Sequence, residues 1–197
     1  MFKLFDRWDC TGIVVVDPAL KDYISIKPML VPRSSGRQAF QRFYKNKYPI
    51  VERLINRMMV PGHRGKKHYI TSGDCGGKRV INIKILEQTF DFIEEKMKQN
   101  PLAVFVKAIE NAAPRDEITT IEYGGARYPQ AVDCSPQRRI DLALRMMVQG
   151  SYQKSFGKKL KMYEALANEI ILAYQTDNKS TAIAKKIELE RQADAAR

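Results

Sequence analysis

The sequence predicts an all-α fold, a bundle of about six helices with a protruding β-hairpin and an N-terminal extension. Apolar residues recur every three or four positions in six separate stretches, as on the buried face of a helix. Proline or serine marks the start of several of these stretches. Residues 118–132 are different, because β-prone side chains there flank a Gly–Gly pair. We assign residues 1–47 to the extension and a basic arm, and residues 48–197 to the helical domain.

Each predicted helix has its own apolar stripe. The helices cover about residues 49–60, 78–98, 101–113, 135–147, 160–174 and 181 onwards. Their stripes are Ile50, Leu54 and Met58; Leu86, Phe90, Ile93 and Met97; Leu102, Phe105 and Ile109; Ile140, Ala143, Leu144 and Met147; Leu160, Tyr163, Ala167, Ile170 and Tyr174; and Ile183 and Ile187. On the last helix we expect Lys185 and Lys186 to face outwards. Asn100 and Ser135, each followed by proline, are predicted N-caps.

Two segments favour extended structure. The pair Gly124–Gly125 predicts a tight hairpin turn, because glycine tolerates the positive φ that such a turn requires. The β-prone run 13–16, which ends at Asp17–Pro18, predicts a short strand in the N-terminal extension.

Charge is distributed unevenly along the chain. The 197 residues include 34 basic and 22 acidic side chains, for a net charge of +12. Residues 33–79 contain twelve basic and two acidic groups, a net charge of +10, whereas residues 80–122 have a net charge of −3 with five basic and eight acidic groups. Phe40, Phe43 and Tyr44 lie among the basic residues of the arm. This pattern favours a polyanionic partner that is held by phosphate contacts and stacking.

Several functional classes lack the residues they need. The turn Gly62–Lys67 does not match a nucleotide-binding loop, because a helix precedes it and Lys67 stands where serine or threonine is required. His63, His68 and Cys75 fit no zinc-ligand spacing, and three widely spaced cysteines suggest reduced thiols. We therefore expect no cofactor, no metal and no catalysis. Without an apolar run near 18 residues or a signal peptide, we expect a soluble intracellular protein with no membrane partner.

The helix at residues 135–147 allows two readings of its arginines. Arg138 and Arg139 lie in the first turn, where the helix dipole also favours phosphate. Arg145 is four residues after Asp141 and can pair with it, so we favour Arg138 and Arg139 as phosphate contacts. A DNA-binding regulator with this segment as its recognition helix is the main alternative to an RNA-binding protein, and a phosphate-handling enzyme using the Gly62–Lys67 turn is a third hypothesis.

The same segments resemble a known family. GGARYPQAVDCSPQRR followed by IDLALRMM is similar to the universal small-subunit ribosomal protein seven in its archaeal form. Further similar fragments are KLFDRW, YPIVERLINRMM, GKK at 65–67, NPLAVFVKAIENAAP, ALANEI and STAIAKKIELERQADAAR. They occur in order over essentially the whole chain. The chain departs from the family pattern by an insertion at about residues 69–77, ahead of the long helix.

This resemblance implies a structural protein of the cytoplasmic ribosome. Members of the family bind small-subunit rRNA in the head domain, start assembly of the head, and neighbour small-subunit proteins nine and eleven. The implied rRNA contacts are Arg33, Arg37, Arg42, Lys45, Lys47, Arg57, Arg64, Lys66, Lys67, Lys78, Arg79, Arg138 and Arg139. The implied hairpin tip, near the exit-site tRNA and the mRNA path, consists of Tyr123, Gly124, Gly125, Ala126, Arg127 and Tyr128.

Overall fold

The all-α fold with one long hairpin is confirmed. The computed structural model describes residues 3–35, 40–41, 43–64, 67–68 and 78–197, with backbone alone for 63–64 and 67–68. The helices are α1 Pro18–Lys21, α2 Ile50–Met58, α3 Arg79–Met97, α4 Pro101–Ala112, α5 Pro136–Ser155, α6 Met162–Tyr174 and α7 Thr181–Ala195. A 3-10 helix, Tyr44–Lys47, precedes α2. The strands are β1 His63–Arg64, β2 Lys67–His68, β3 Asp116–Tyr123 and β4 Ala126–Asp133.

One hydrophobic core unites the helices. Helix α6 packs against α3, α4 and α5, so it occupies the centre of the bundle. Most of the predicted stripe residues are fully buried, among them Leu54, Phe90 and Ile140. The rings of Phe90 and Phe105 lie 6.2 Å apart where α3 meets α4. Burial of these stripes is the main stabilising term for such helices.

The helix starts follow the capping predictions in part. Asn100 caps α4, because its side chain accepts a hydrogen bond from the Leu102 N–H at 3.0 Å. The prediction that the Ser135 side chain caps α5 is wrong: Ser135 occupies the N-cap position but forms no capping hydrogen bond. Pro136, which has no N–H, begins the helix. Helix α5 also continues to Ser155, well beyond the predicted stripe.

The inward face of α7 differs from the prediction. Ile183 is buried, but Ile187 is exposed and Lys186 turns inwards. The Lys186 ammonium donates a hydrogen bond to the Asn111 carbonyl at 2.9 Å. Lys186 therefore lies on the side of α7 that faces the end of α4. Leu160, predicted as part of the α6 stripe, precedes that helix and is exposed.

The N-terminal segment packs on the same core. Leu4, Trp8 and Leu20 are buried, so the described part of the predicted extension adds to the helical bundle. The predicted strand at residues 13–16 is wrong. The Val16 N–H donates to the Glu110 carboxylate at 2.6 Å, and no neighbouring strand pairs with this run in the described part of the chain. The division at residue 47 stays a prediction.

Strands β3 and β4 form a regular antiparallel hairpin. Their register pairs Asp116 with Asp133 at the root and Tyr123 with Ala126 at the tip. Gly124 and Gly125 have φ values of 59° and 82°, so both turn residues are left-handed as predicted. At the root, β3 begins two residues before the predicted span 118–132 and β4 ends one residue after it. Strands β1 and β2, in a segment predicted as loop, also pair antiparallel.

Candidate nucleic-acid interface

A cavity of about 330 Å³ lies where the 3-10 helix, α2 and α5 meet. We call it the basic pocket. It is lined by Lys45, Tyr48, Arg53, Asn56, Arg57, Asp141, Leu144 and Arg145. Four cationic side chains and one carboxylate therefore surround the cavity. Such an excess of positive charge around a concave surface attracts anions.

Helical spacing explains how these charges come together. Arg53 and Arg57 are one turn apart on α2, and Asp141 and Arg145 are one turn apart on α5. The apolar residues of the two helices, including Leu54 and Leu144, are buried in the core. Packing of α2 against α5 consequently places the two polar edges side by side.

Asp141 organises one side of the basic pocket. It accepts a hydrogen bond from the Arg53 guanidinium at 3.0 Å and pairs with the Lys45 ammonium. Arg53 is buried, and it also donates to the Tyr23 carbonyl at 3.0 Å. The predicted pairing of Asp141 with Arg145 is wrong, because partners from α2 and the arm occupy the carboxylate.

Arg57 and Arg145 form the other side of the basic pocket. Neither has a carboxylate partner among the residues that the structure describes. Burial, and then repulsion by Arg145, lowers the pKa of Arg57, while Asp141 opposes this shift. Within the described residues, the Nε atoms of both arginines and the Tyr48 hydroxyl are buried without a hydrogen-bond partner. The guanidinium groups of Arg57 and Arg145 line the cavity, so a phosphate bound there could accept hydrogen bonds from them.

Other cations extend the basic surface outside the basic pocket. Arg33, Lys47 and Lys78 are all exposed. The Lys47 ammonium lies 4.3 Å from the centre of the Tyr44 ring. The side chains of Phe40 and Phe43 are largely exposed.

Arg79 has a structural role. Its guanidinium donates to the Glu52 carboxylate at 2.7 Å, to the Pro32 carbonyl at 2.8 Å and to the Asn56 side chain at 2.8 Å. Glu52 is buried and also accepts from the Ser34 N–H and hydroxyl. Arg79 thereby joins the end of the N-terminal segment to α2 and α3, so we leave it out of the proposed RNA interface.

The two arginines in the first turn of α5 are also engaged internally. The side chain of Arg139 is only 9% exposed; it pairs with Asp17 at 2.8 Å and donates to the Pro114 carbonyl at 3.1 Å. Arg138 is half exposed and pairs with Glu117 at the root of the hairpin. We therefore leave Arg139 out of the proposed interface and assign Arg138 chiefly to the hairpin root.

Five of the basic positions from the sequence have no described side chain. Arg37, Arg42 and Lys66 lie outside the described residues, and so does the insertion at residues 69–77. Arg64 and Lys67 are described by backbone alone and pair with each other across β1 and β2. Their RNA contacts stay predictions.

The distal hairpin exposes apolar and aromatic side chains on one face. Ile121 pairs with Tyr128 and Tyr123 pairs with Ala126, so these four residues share a face. Tyr123 is 82% exposed and Tyr128 is 59% exposed. On the opposite face Arg127 lies 3.6 Å from Glu122, a neutral ion pair. The tip thus adds no net positive charge to the surface.

Ion pairs and a buried thiol brace the root of the hairpin. Asp116 pairs with Arg197 at 2.6 Å, and the Glu190 side chain accepts from the Arg115 N–H at 3.0 Å. Burial raises the pKa of the Cys134 thiol to about 12, and the charge of Glu117 adds to this effect. Helix α7 and the start of α5 therefore hold the proximal end of the hairpin.

Of the residues that line the basic pocket, only Lys45 and Arg57 were predicted as RNA contacts; Tyr48, Arg53, Asn56 and Arg145 were not. The four-residue spacing of Arg53 and Arg57 was a usable signal, since it puts both on one edge of α2. No sequence signal identifies the partner of Asp141, because Lys45 and Arg53 are about ninety residues away along the chain.

Comparison with known proteins identifies the family to which the chain belongs. The model of the family described as ribosomal protein S7p/S5e matches residues 20–197. The chain belongs to this family. It is a family of ribosomal proteins and not of enzymes.

Three relatives of the S7p/S5e chain are archaeal proteins named small ribosomal subunit protein uS7. The protein of Nanoarchaeum equitans is 58% identical over 195 residues, which cover 99% of this chain and 98% of the relative. The protein of Methanothrix thermoacetophila is 42% identical over 195 residues, covering 99% and 100%. That of Methanococcoides burtonii is 41% identical over 197 residues, covering both chains fully. The resemblance to the archaeal form is confirmed.

The S7p/S5e chain contains no helix, within its described residues, that is long and apolar enough to span a membrane.

Proposed function

We propose that this chain is a component of the small ribosomal subunit, in the cytoplasm, and that it binds the rRNA of the subunit's head through the basic pocket and the surrounding cations. The contacts proposed are Arg33, Lys45, Lys47, Arg57, Lys78 and Arg145, with Arg37, Arg42, Arg64, Lys66 and Lys67 added from the sequence. Its role there is structural: it holds rRNA segments in place and starts assembly of the head.

The observation that carries this proposal is a pair of arginines that line the basic pocket and form no ion pair with the described residues. Arg57 and Arg145 come from different helices and have buried donors without partners in the described part of the chain. A guanidinium forms strong charge-assisted hydrogen bonds to phosphate oxygens. Placing two of them around one cavity suits a nucleic-acid backbone, and family membership makes rRNA the proposed polyanion.

The hairpin is proposed to contact other components of the subunit. Its tip, residues 123–128, would lie near the exit-site tRNA and the mRNA path, with small-subunit proteins nine and eleven as neighbours. The exposed face around Tyr123 and Tyr128 supports a contact through stacking or apolar packing. Because Glu122 and Arg127 neutralise each other, we do not assign backbone affinity to the tip.

A DNA-binding regulator is less well supported. That hypothesis needs the first turn of α5 to present Arg138 and Arg139 to a DNA groove. Arg139 is instead buried against Asp17, and Arg138 pairs with Glu117. Helix α5 also packs against α6 and α7, which leaves little of it to enter a groove.

Binding and sedimentation measurements test the proposal together. The full chain should bind an rRNA fragment of the head more tightly than duplex DNA of equal length. Affinity should fall by about 10³ between 50 and 200 mM salt if about six phosphates are engaged. In cells the protein should sediment with small subunits. A flat salt response, equal affinity for duplex DNA, or sedimentation apart from ribosomes would contradict the proposal.

A further inference from the structure

A second cavity, of about 400 Å³, adjoins the basic pocket between α5 and α7. We call it the α5–α7 groove. Arg145 lines both cavities, so its side chain forms the boundary between them. We propose that the α5–α7 groove takes the base of an unpaired nucleotide whose neighbouring phosphate is bound in the basic pocket. This inference rests on the proposed function and adds that the site selects RNA with an unpaired nucleotide.

The close approach of the two helices creates the floor of the groove. Gly150 on α5 faces Thr181 at the start of α7, and a Cβ atom at Gly150 would lie 2.5 Å from the Thr181 hydroxyl oxygen. Any larger residue at position 150 would force the helices apart. Because Gly150 has no side chain, the two helices can approach closely, and this contact forms the shallow floor of the groove. Side chains on either side form its walls.

The lining of the groove matches a nucleobase. Met146 and Ala184 offer apolar contact, and Gln153 and Thr181 offer hydrogen-bonding groups. Methionine packs well against aromatic rings, and an amide can both donate to and accept from a base edge. Lys185 on the rim pairs with Glu188 at 2.7 Å, whereas Arg145 forms no ion pair with the residues that the structure describes.

The size and position of the groove favour an unpaired base over a duplex. The space lies between two packed helices, so a base can enter it only after leaving a helical stack. Proteins that read RNA by sequence act chiefly on such unstacked bases, whereas phosphate contacts position the strand. Because Arg145 lines both cavities, a base in the groove would lie next to the phosphate proposed for the basic pocket.

The test compares a ten-nucleotide oligouridylate with an abasic strand of the same length, which has the same phosphates but no bases. The full chain should bind the intact strand about tenfold more tightly, an effect at the low end for stacking of a base on protein. Ala184→Leu, which fills the groove from an exposed position, should reduce this ratio to about twofold. Ala195→Leu, an equivalent change at an exposed alanine near the end of α7, should leave it at tenfold.

Circular dichroism and thermal unfolding of both variants should match the wild type, since neither alanine is buried. Equal affinity of the wild type for intact and abasic strands would overturn the inference, as would an unchanged ratio in Ala184→Leu. Either result leaves the proposed rRNA binding standing, because the abasic strand would still bind in a salt-dependent way. Loss of all salt-dependent binding would contradict the proposed function itself.

Discussion

The basic pocket and the hairpin differ in how they are built. The pocket is assembled by tertiary packing, because Lys45, Arg57 and Arg145 come from three elements that meet only in the folded chain. The hairpin is local: its two strands are joined by two glycines, and its distal half contacts solvent on both faces. If the proposed function holds, positive charge held by the core supplies affinity for RNA, while the locally encoded hairpin supplies reach.

The largest effect is expected from the pocket. Arg57→Gln combined with Arg145→Gln should weaken binding to the rRNA fragment by about 100-fold, since each charge-assisted contact to phosphate contributes about 1.5 kcal/mol or more. Lys158→Gln with Lys159→Gln removes the same charge from an exposed loop and is the control. Equal losses of affinity in the two double variants would show that the pocket contributes only through its total charge. Titration by fluorescence anisotropy measures both.

The carboxylate that orders the pocket should matter for stability. Asp141→Asn removes an ionic partner from buried Arg53 and is expected to destabilise the fold by about 2 kcal/mol. Asp194→Asn, an exposed acid at the end of α7, should change stability by less than about 0.5 kcal/mol. Urea unfolding gives both values. A loss no larger in Asp141→Asn than in Asp194→Asn would mean that Arg53 keeps its place without the ion pair.

A smaller effect is expected at the hairpin root as pH rises. The Cys134 thiol ordinarily titrates near 9.0, and burial raises its pKa to about 12 in the folded chain. The unfolded chain therefore loses this proton first, so stability should fall between about pH 9 and 12. The wild type should lose more stability than Cys134→Ala over this range. Parallel pH dependence in the two proteins would show that the thiol is not linked to folding.

The smallest effect is expected at the hairpin tip. Replacing residues 123–128 by an Asn-Gly turn should change stability by less than about 1 kcal/mol, because an isolated two-stranded ribbon is marginally stable. Affinity for the rRNA fragment should stay within about threefold. In the free protein, amides of residues 118–132 should exchange rapidly and become slower in the RNA complex. Strong protection in the free protein would mean that the hairpin packs on the core.

Local and long-range features were predictable to different degrees. The turn at Gly124–Gly125, the Asn100 cap and the buried stripes follow from residues close in sequence, and the structure confirms them. The partners of Asp141 and Arg139 were not predictable, because they depend on how α5 meets α2 and the N-terminal segment. The strand predicted at residues 13–16 does not form for the same reason. A side chain of α4 accepts the hydrogen bond that the backbone of this run donates.

The same difference explains why the net charge of a segment located the basic pocket better than the choice of individual basic residues did. The excess of +10 in residues 33–79 correctly marked the region that lines the pocket from α2 and the arm. It did not separate Arg79, which is occupied by Glu52, from Arg57, which has no carboxylate partner in the described part of the chain. Burial and pairing make that distinction, and both are properties of the fold.

The most direct test of this account is the salt dependence of rRNA binding for three proteins: the wild type, Arg57→Gln/Arg145→Gln and the chain with the replaced hairpin tip. The slope of log affinity against log salt should decrease by about 1.4 to 1.8 in the double variant, since two phosphate contacts are lost. The slope of the hairpin variant should equal that of the wild type. An unchanged slope in the double variant, or an equal decrease in the hairpin variant, would contradict the assignment of RNA affinity to the basic pocket.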